Sequence, residues 1–315
     1  MRIRQAFAVG LLALTPVLTG CLVHTHSVLK TRPPDIVYGA SLDQLLTQVD
    51  QRYSALRSMT GFVQVVACTG GSRKGEVTCY PAFSGFIIIG KPENIIVRLQ
   101  VPLLGSEALD MVSDGKNFKM KIPPENCAIV GSDVITNNNQ KGLYALRPGV
   151  ILNSLMIQPR EDDQLVAMTQ DSRTLPDPKR RKGIIEEPDY LLQFLSQPEG
   201  KVARSLRVIH IGRSTLLPYQ QDIYDADGKV ATQASYSDYK RFGDVNFPSK
   251  IVIQRPLDEL SLTITLNPKT SFNKPLPADQ FNPPAVPANY AIQNMDDPVS
   301  AATNPCGAHA PPAKH

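Results

Sequence analysis

The sequence contains no tryptophan and, beyond its first twenty residues, no long run of apolar residues. Because a helix needs about 20 consecutive apolar residues to cross a bilayer, we expect no transmembrane helix. The formal net charge is only +4 at pH 7, with 33 basic and 29 acidic residues. This balance lacks the strong positive charge that is typical of nucleic-acid-binding proteins. We therefore expect no nucleic-acid partner.

Motifs of the common catalytic sites are also missing. The chain has no Gly-x-Ser-x-Gly nucleophile motif and no glycine-rich phosphate loop. Of its five histidines, only His210 lies in a predicted strand, where we expect a partly buried structural residue. His24, His26, His309 and His315 lie in the predicted tether and tail, where no rigid scaffold would orient a catalytic group. We therefore predict that the protein is not an enzyme and has neither a cofactor nor a metal site.

The N-terminus has the features of a secretory signal. Arg2 and Arg4 precede the uncharged residues 6–17, a stretch too short to span a bilayer. The sequence Leu-Thr-Gly-Cys that follows, ending at Cys21, resembles the lipobox of bacterial lipoproteins. The resemblance implies removal of residues 1–20 and attachment of diacylglycerol and an acyl chain such as palmitate to Cys21, which would anchor the protein to a membrane surface. The alternative is an ordinary secretory signal in which Cys21 is incidental.

The other four cysteines fit an exported protein, because disulfides persist in oxidising compartments. Cys68 and Cys79 flank a Thr-Gly-Gly-Ser sequence that favours a turn, so we predict a disulfide across a hairpin. Two free thiols are the alternative. Cys127 and Cys306 are either unpaired or joined over a long range, and the sequence leaves both possibilities open.

The spacing of apolar residues predicts two helices. Ser41 and Gln44 form a capping box at the start of the first helix, which carries an apolar stripe. The stripe consists of Leu42, Leu45, Leu46, Val49, Tyr53 and Leu56. A second apolar helical stretch covers residues 148–156. Polar composition predicts a solvated loop at residues 159–188.

Period-two alternation fills most of the remaining chain and predicts about ten strands in meander order. We therefore predict a mainly β (α+β) fold, in which a large curved antiparallel sheet forms an open half-barrel and amphipathic helices cover its concave side. The predicted organisation is a signal peptide at 1–20, a lipid-anchored tether at 21–40, the half-barrel domain at 41–281 and a disordered Pro/Ala-rich tail at 282–315.

Three segments resemble the outer-membrane lipoprotein-sorting family of LolA and LolB. They are the capped helix running into a strand at 41–66, the Pro-Leu-Leu-Gly loop within 101–107, and the Pro-Gly-Val-Ile-Leu-Asn-Ser-Leu start of the second helix at 148–155. The resemblance implies that Leu103 and Leu104 form a loop that inserts into the membrane. The alternative is that one of these leucines packs into the core.

The resemblance and the apolar strands together predict a cavity for acyl chains. Its candidate lining residues are Leu45, Leu46, Val49, Tyr53, Val97, Leu99, Met111, Phe118, Met120, Ile151, Leu155, Leu262 and Ile264. We expect acylated lipoproteins or lipids as partners, with a periplasmic carrier as a further partner, at the periplasmic face of the outer membrane. Leu22 agrees with the outer membrane, because aspartate after the cysteine retains enteric lipoproteins in the inner membrane. The alternative is a structural or sensory envelope lipoprotein with a fully packed interior.

Overall fold

The computed structural model describes residues 30–133, 146–180, 183–277, 279–303 and 306. These residues contain one sheet of 17 strands. The helices are α1 Leu42–Ser54, α2 Pro148–Leu155 and α3 Pro298–Thr303. The strands are β1 Thr31–Arg32, β2 Ser58–Gly71, β3 Glu76–Cys79, β4 Phe83–Gly90, β5 Asn94–Gln100, β6 Glu107–Ser113, β7 Asn117–Ile122, β8 Cys127–Ser132, β9 Leu165–Pro176, β10 Ile184–Leu195, β11 Ser205–Gly212, β12 Leu217–Tyr224, β13 Val230–Phe242, β14 Val245–Arg255, β15 Leu260–Leu266, β16 Ser271–Phe272 and β17 Ala291–Asn294.

The contacts divide the described chain into a smaller unit, residues 30–35 and 172–187, and a larger unit that contains the rest. In the larger unit, antiparallel pairs run from β10 through β15 in sequence order, and β15 pairs with β2. The order then continues from β2 to β4 and on to β8, with β17 added in parallel. The described registers of the larger unit thus run as one open series from β10 to β17. The predicted mainly β fold with a large open sheet is confirmed.

Strict alternation sets which face of β15 is buried. Leu260, Leu262, Ile264 and Leu266 are all buried and belong to the main core cluster. The intervening Ser and Thr residues point to the other face, as successive strand residues must. This strand therefore matches the alternation read from the sequence.

Strands β4 and β5 instead carry near-continuous isoleucine runs. Ile88 and Ile96 face away from the main core and pack with Val112 in a separate cluster. Leu276 and Phe281 cover this cluster from outside. A strand buried on both faces needs apolar residues at every position, which explains the runs.

Helices α1 and α2 pack apolar side chains against strands. The capping box of α1 is present, with the Ser41 side chain accepting from the Gln44 amide. Leu45 and Val49 of α1 are buried in a cluster with residues of β10 and β11. Helix α2 begins with proline in its first turn, where the missing amide costs no hydrogen bond. Its Ile151, Leu152 and Leu155 lie in the main core.

The predicted solvated loop at 159–188 is wrong, because β9 and the start of β10 occupy most of it. The polar side chains of β9 are largely exposed, so the strand has little of the apolar pattern that identifies a strand in sequence. Its pairing with β10 uses backbone groups. Arg173 Nη2 also contacts Glu187 Oε2 at 2.5 Å. Backbone pairing and charge pairing thus order a segment whose composition indicates a loop.

The predicted disordered tail at 282–315 is also wrong in part. Strand β17 pairs in parallel with β8, and α3 follows it. Met295 and Cys306 are buried, and Cys306 is joined to Cys127 in a disulfide. A four-residue strand in a Pro- and Ala-rich segment is too short to be visible as a pattern.

Cys68 and Cys79 are opposite each other in the β2–β3 hairpin, with their Cα atoms 4.0 Å apart, and the structure joins them in a disulfide. The Cys127 and Cys306 Cα atoms are 5.5 Å apart, across 179 positions of sequence. This second bond ties the C-terminal segment to β8.

The predicted tether at 21–40 is ordered in part, since residues 31–35 belong to the smaller unit. Strand β1 pairs in parallel with Ile184 and Ile185. Arg32 Nε lies 2.7 Å from one Asp177 carboxylate oxygen, and Arg32 Nη2 lies 2.9 Å from the other. These hydrogen bonds lower the pKa of Asp177 to about 2, so the carboxylate is ionised at neutral pH. A bidentate ion pair between Arg32 and Asp177 therefore holds residues 31–35 in place.

Changing Arg32 to Gln is expected to release residues 31–35. The variant loses both charge-assisted hydrogen bonds to Asp177, and a two-residue strand alone gives little protection. We expect amide hydrogen exchange at positions 31, 32 and 35, which carry the amides of this segment, to speed up by about tenfold or more, measured by mass spectrometry at pH 7. Lys30→Gln is the control, because Lys30 is exposed. Equal exchange in the wild type and Arg32→Gln would assign the order to backbone pairing alone.

Candidate functional site

An apolar pocket of about 250 Å³ lies in the larger unit, where the C-terminal ends of α1 and α2 meet β13 and β14. Its lining residues are Val49, Gln51, Arg52, Tyr53, Ala55, Leu56, Leu155, Met156, Ile157, Pro218, Tyr236, Tyr239, Asp244, Val245, Asn246, Phe247 and Pro248. Gln51, Ala55, Asp244 and Asn246 are exposed, so the pocket opens to solvent on their side. Leu56, Leu155, Met156 and Phe247 are buried and form its apolar wall.

Tyr53 is held in the pocket by a cation. Lys91 Nζ lies 3.4 Å from the centroid of the Tyr53 ring and donates a hydrogen bond to the Tyr53 carbonyl oxygen. Burial raises the pKa of Tyr53 and lowers that of Lys91. The cation–π contact thereby fixes one wall of the pocket.

Two tyrosines of β13 also line the pocket. The hydroxyl of Tyr236 donates to the Ser154 carbonyl oxygen at 2.9 Å, and that of Tyr239 donates to the Pro218 carbonyl oxygen at 2.7 Å. Burial raises the pKa of both phenols above the ordinary value, so both are neutral at physiological pH. Their hydroxyl oxygens keep lone pairs that can accept a hydrogen bond.

Tyr236 and Tyr239 line the same pocket although a spacing of three would place them on opposite faces of a regular strand. Asp238 between them has φ 53°, in the left-handed region that aspartate tolerates better than most residues. The Ser249 hydroxyl donates to the Asp238 carbonyl oxygen at 2.7 Å and holds this conformation. The local change of direction brings Tyr239 into the pocket.

Three of the thirteen candidate cavity residues, Val49, Tyr53 and Leu155, line the pocket. Leu45 and Leu46 instead belong to the cluster between α1 and strands β10 and β11. The remaining candidates are buried in the main core and do not line it. These are Val97, Leu99, Met111, Phe118, Met120, Ile151, Leu262 and Ile264.

Sequence reasoning missed Arg52, Met156 and the residues from β12 to β14. Arg52 lies on α1 next to the predicted Tyr53, but as a charged residue it reads as part of the solvated face. The shared position of Tyr236 and Tyr239 in the pocket could not be predicted, because strict alternation does not allow for the left-handed backbone at Asp238. One feature of the sequence did point to the pocket. The apolar stripe of the first helix ends at Leu56, which is a lining residue.

The loop between β5 and β6 presents two leucines to solvent. Leu103 is fully exposed and Leu104 is 79% exposed. Leu103 has φ 65°, a conformation that is unfavourable for a bulky side chain. Backbone hydrogen bonds close the loop, from Gly105 to Val101 at 3.0 Å and from Val101 to Ser106 at 2.8 Å. Neither leucine therefore packs into the core.

His210 pairs with a carboxylate on the neighbouring strand. Its Nε2 lies 3.0 Å from an Asp222 carboxylate oxygen. Burial alone would raise the pKa of Asp222, but hydrogen bonds from His210, Gln233 and Gln220 outweigh it and lower the pKa. Within the described ranges, no group of three His, Cys, Asp or Glu side chains is placed to hold a metal ion.

The predicted signal peptide 1–20 and the lipid attachment site Cys21 lie outside the described residues. Among the helices that are described, none has the length and apolar character needed to cross a bilayer.

Comparison with known proteins gives likenesses of fold. Residues 180–287 match a family model described as "Uncharacterized protein", and no curated protein matches the chain. The structure is similar to that of a LolA superfamily protein. That protein comes from Nitrosomonas europaea, with 13% identity, a TM-score of 0.46, and coverage of 78% of this chain and 98% of that one.

Two further solved structures are similar. A DUF1329 family protein from Desulfovibrio piger has 14% identity and a TM-score of 0.49, with 76% of this chain and 94% of that chain covered. A domain described as an outer membrane lipoprotein-sorting protein, from Vibrio parahaemolyticus, has 9% identity and a TM-score of 0.43, with the same coverage of 76% and 94%. At such low identity these likenesses do not assign a ligand or a partner.

Proposed function

We propose that this chain is an envelope lipoprotein that binds acyl chains of lipoproteins or lipids and helps insert them into the membrane. It is anchored through Cys21 at the periplasmic face of the outer membrane and receives its clients from a periplasmic carrier. It acts by binding and not by catalysis. Its helices cover the concave side of the sheet, and the acyl chain enters beside the C-terminal end of α1.

The observation that carries this proposal is the apolar pocket of about 250 Å³. Each methylene that leaves water gains about 0.8 kcal/mol, so an apolar wall is sufficient to bind an acyl chain without any reactive group. The wall is built from Leu56, Leu155, Met156 and Phe247. Engineered apolar cavities of about 150 Å³ already bind benzene. The pocket therefore suits part of one chain, and a client with several chains requires α1 to move outward.

The exposed leucines supply a route to the membrane. An apolar side chain held in water at a positive φ is unfavourable twice, through hydration and through backbone strain. The hydration cost is removed when Leu103 and Leu104 enter a bilayer. We assign to this loop the step that brings the client chain to the membrane.

Partial filling of the pocket provides the test. Ala55 is exposed at the pocket rim, and we expect Ala55→Trp to place an indole ring in the space of the acyl chain. Displacing two methylenes costs about 1.6 kcal/mol, which is more than tenfold in affinity. The measurement is the equilibrium binding of a triacylated lipopeptide to the full-length Cys21→Ser protein, which carries no lipid of its own.

Ser54→Trp is the matched control, because Ser54 is exposed on the neighbouring position and does not line the pocket. It is expected to bind the lipopeptide like the wild type. The same peptide without acyl chains should not bind either protein. Equal affinity of Ala55→Trp and Ser54→Trp would remove the pocket from the proposal.

A second candidate function is a structural or sensory lipoprotein that binds a protein partner. It is favoured by one observation: most of the candidate cavity residues are packed in the main core. This function predicts that no lipid co-purifies with the protein and that the lipopeptide does not bind at all. Mass spectrometry of lipids extracted from the purified protein separates the two functions.

A further inference from the structure

One charged side chain lies in the wall of the apolar pocket. Arg52 is the single cationic residue among the described residues that line it. Arg52 is partly buried, and this burial lowers the pKa of its guanidinium. Removing a guanidinium from water is unfavourable unless a partner replaces the lost hydration.

Arg52 has no such partner in the described part of the chain. No hydrogen bond and no ion pair within 4.0 Å involves its guanidinium there. The one carboxylate in the lining, Asp244, is exposed and is not paired with it. The Tyr239 phenol is an electrostatic neighbour of Arg52, but no hydrogen bond joins the two side chains. Five N–H donors of Arg52 thus remain available beside an apolar wall.

Helix chemistry explains only part of this arrangement. Arg52 lies in the last turn of α1, where a cation stabilises the helix C-terminus. A fully solvated cation in the same turn would give the same benefit. The position of Arg52 in the pocket is therefore not required by the helix.

We propose that the pocket selects an amphiphile with an anionic head, a carboxylate or a phosphate ester, whose head binds Arg52 and whose chain lies along Leu56, Met156 and Phe247. The inference rests on the proposed function and names the class of ligand for the same pocket. The planar guanidinium binds either head through two parallel hydrogen bonds. The neutral hydroxyl of Tyr239 carries no negative charge that would compete with the anionic head for Arg52.

The experiment compares ligands with one chain length and different heads. Decanoate, decyl phosphate and decanol are titrated calorimetrically into the full-length Cys21→Ser protein at pH 7, below their micelle concentrations. We expect the two anions to bind at least about tenfold more tightly than decanol, as is typical of a charge-assisted hydrogen bond. In Arg52→Gln the ratio of anion affinity to decanol affinity should fall to about one. Acetate and inorganic phosphate, which have no chain, should not bind measurably.

Two further variants keep the test decisive. Arg57→Gln removes an exposed arginine near the pocket and should keep the full preference for the anions. Arg52→Lys preserves the charge at the end of α1, and it should keep a reduced preference for the anions even where Arg52→Gln lowers the melting temperature.

The outcomes separate this inference from the function on which it rests. Equal binding of anions and alcohol, or an unchanged preference in Arg52→Gln, overturns the selection of an anionic head and leaves acyl binding intact. Binding of inorganic phosphate as tight as that of decyl phosphate also overturns it, since the site would then bind a free anion. If neither decanoate nor decanol binds, the acyl pocket itself is rejected.

Discussion

Changing Leu103 and Leu104 together to Glu is expected to reduce delivery of acylated clients to membranes by at least about a hundredfold. Burying each leucine in the bilayer gains about 1.5–3 kcal/mol. A charge in its place opposes insertion by a similar amount. The measurement is the transfer of a fluorescent lipopeptide from the protein to phospholipid vesicles. Folding should be unaffected, since Leu103 is fully exposed and contributes no core contact. We expect the free energy of unfolding to change by less than about 0.5 kcal/mol.

The control for this variant is a pair of exposed valines elsewhere. Val77 and Val202 are 62% and 65% exposed, and changing both to Glu alters the net charge by the same amount. This control should deliver clients like the wild type. Lipopeptide binding in solution should also be unchanged in the leucine variant, because its loop residues do not line the pocket. Normal delivery by the leucine variant would mean that clients reach the bilayer by another surface.

The fold was predictable where one face of an element is apolar and the other polar. The alternation in β15 and the capping box with Gln44 at the start of α1 both follow from neighbouring residues, so a short window of sequence contains the information. The turn between Cys68 and Cys79 is local in the same sense. Strand β9 is largely polar and pairs with the next strand, β10, whereas the four-residue β17 pairs with the distant β8. Composition therefore indicated a loop and a tail where the structure has strands.

The candidate site was harder to predict because three distant segments build it. Residues 49–56, 155–157 and 236–248 contribute most of the lining, and only the first two carried an apolar helical pattern in sequence. Sequence reasoning placed the cavity along the whole sheet, but α2 fills much of that surface with Ile151, Leu152 and Leu155. Whether helices fill a sheet or leave a space depends on side-chain volumes across distant elements. Periodicity does not contain that information.

Changing Asp258 to Ala is expected to lower the free energy of unfolding by about 3–5 kcal/mol, since removing one partner leaves a buried charge without compensation. The side chains of Arg255, at the end of β14, and Asp258, in the turn that follows, are each only 3% exposed and form an ion pair. Without Asp258, the Thr232 hydroxyl at 3.1 Å is the one acceptor that the described residues leave to the guanidinium of Arg255, and it is neutral. Urea unfolding followed by circular dichroism measures the difference.

An exposed ion pair supplies the comparison. Lys229 Nζ and the Asp227 carboxylate are 3.6 Å apart, with side chains 63% and 75% exposed, so Asp227→Ala should cost less than about 1 kcal/mol. Replacing both Arg255 and Asp258 with Leu should recover much of the stability lost in Asp258→Ala, because no buried charge remains. If Asp258→Ala is as mild as Asp227→Ala, water reaches the Arg255 guanidinium and the pair is not desolvated. A large difference between the two variants would instead show that burial, and not the charge pairing itself, makes the Arg255 site sensitive.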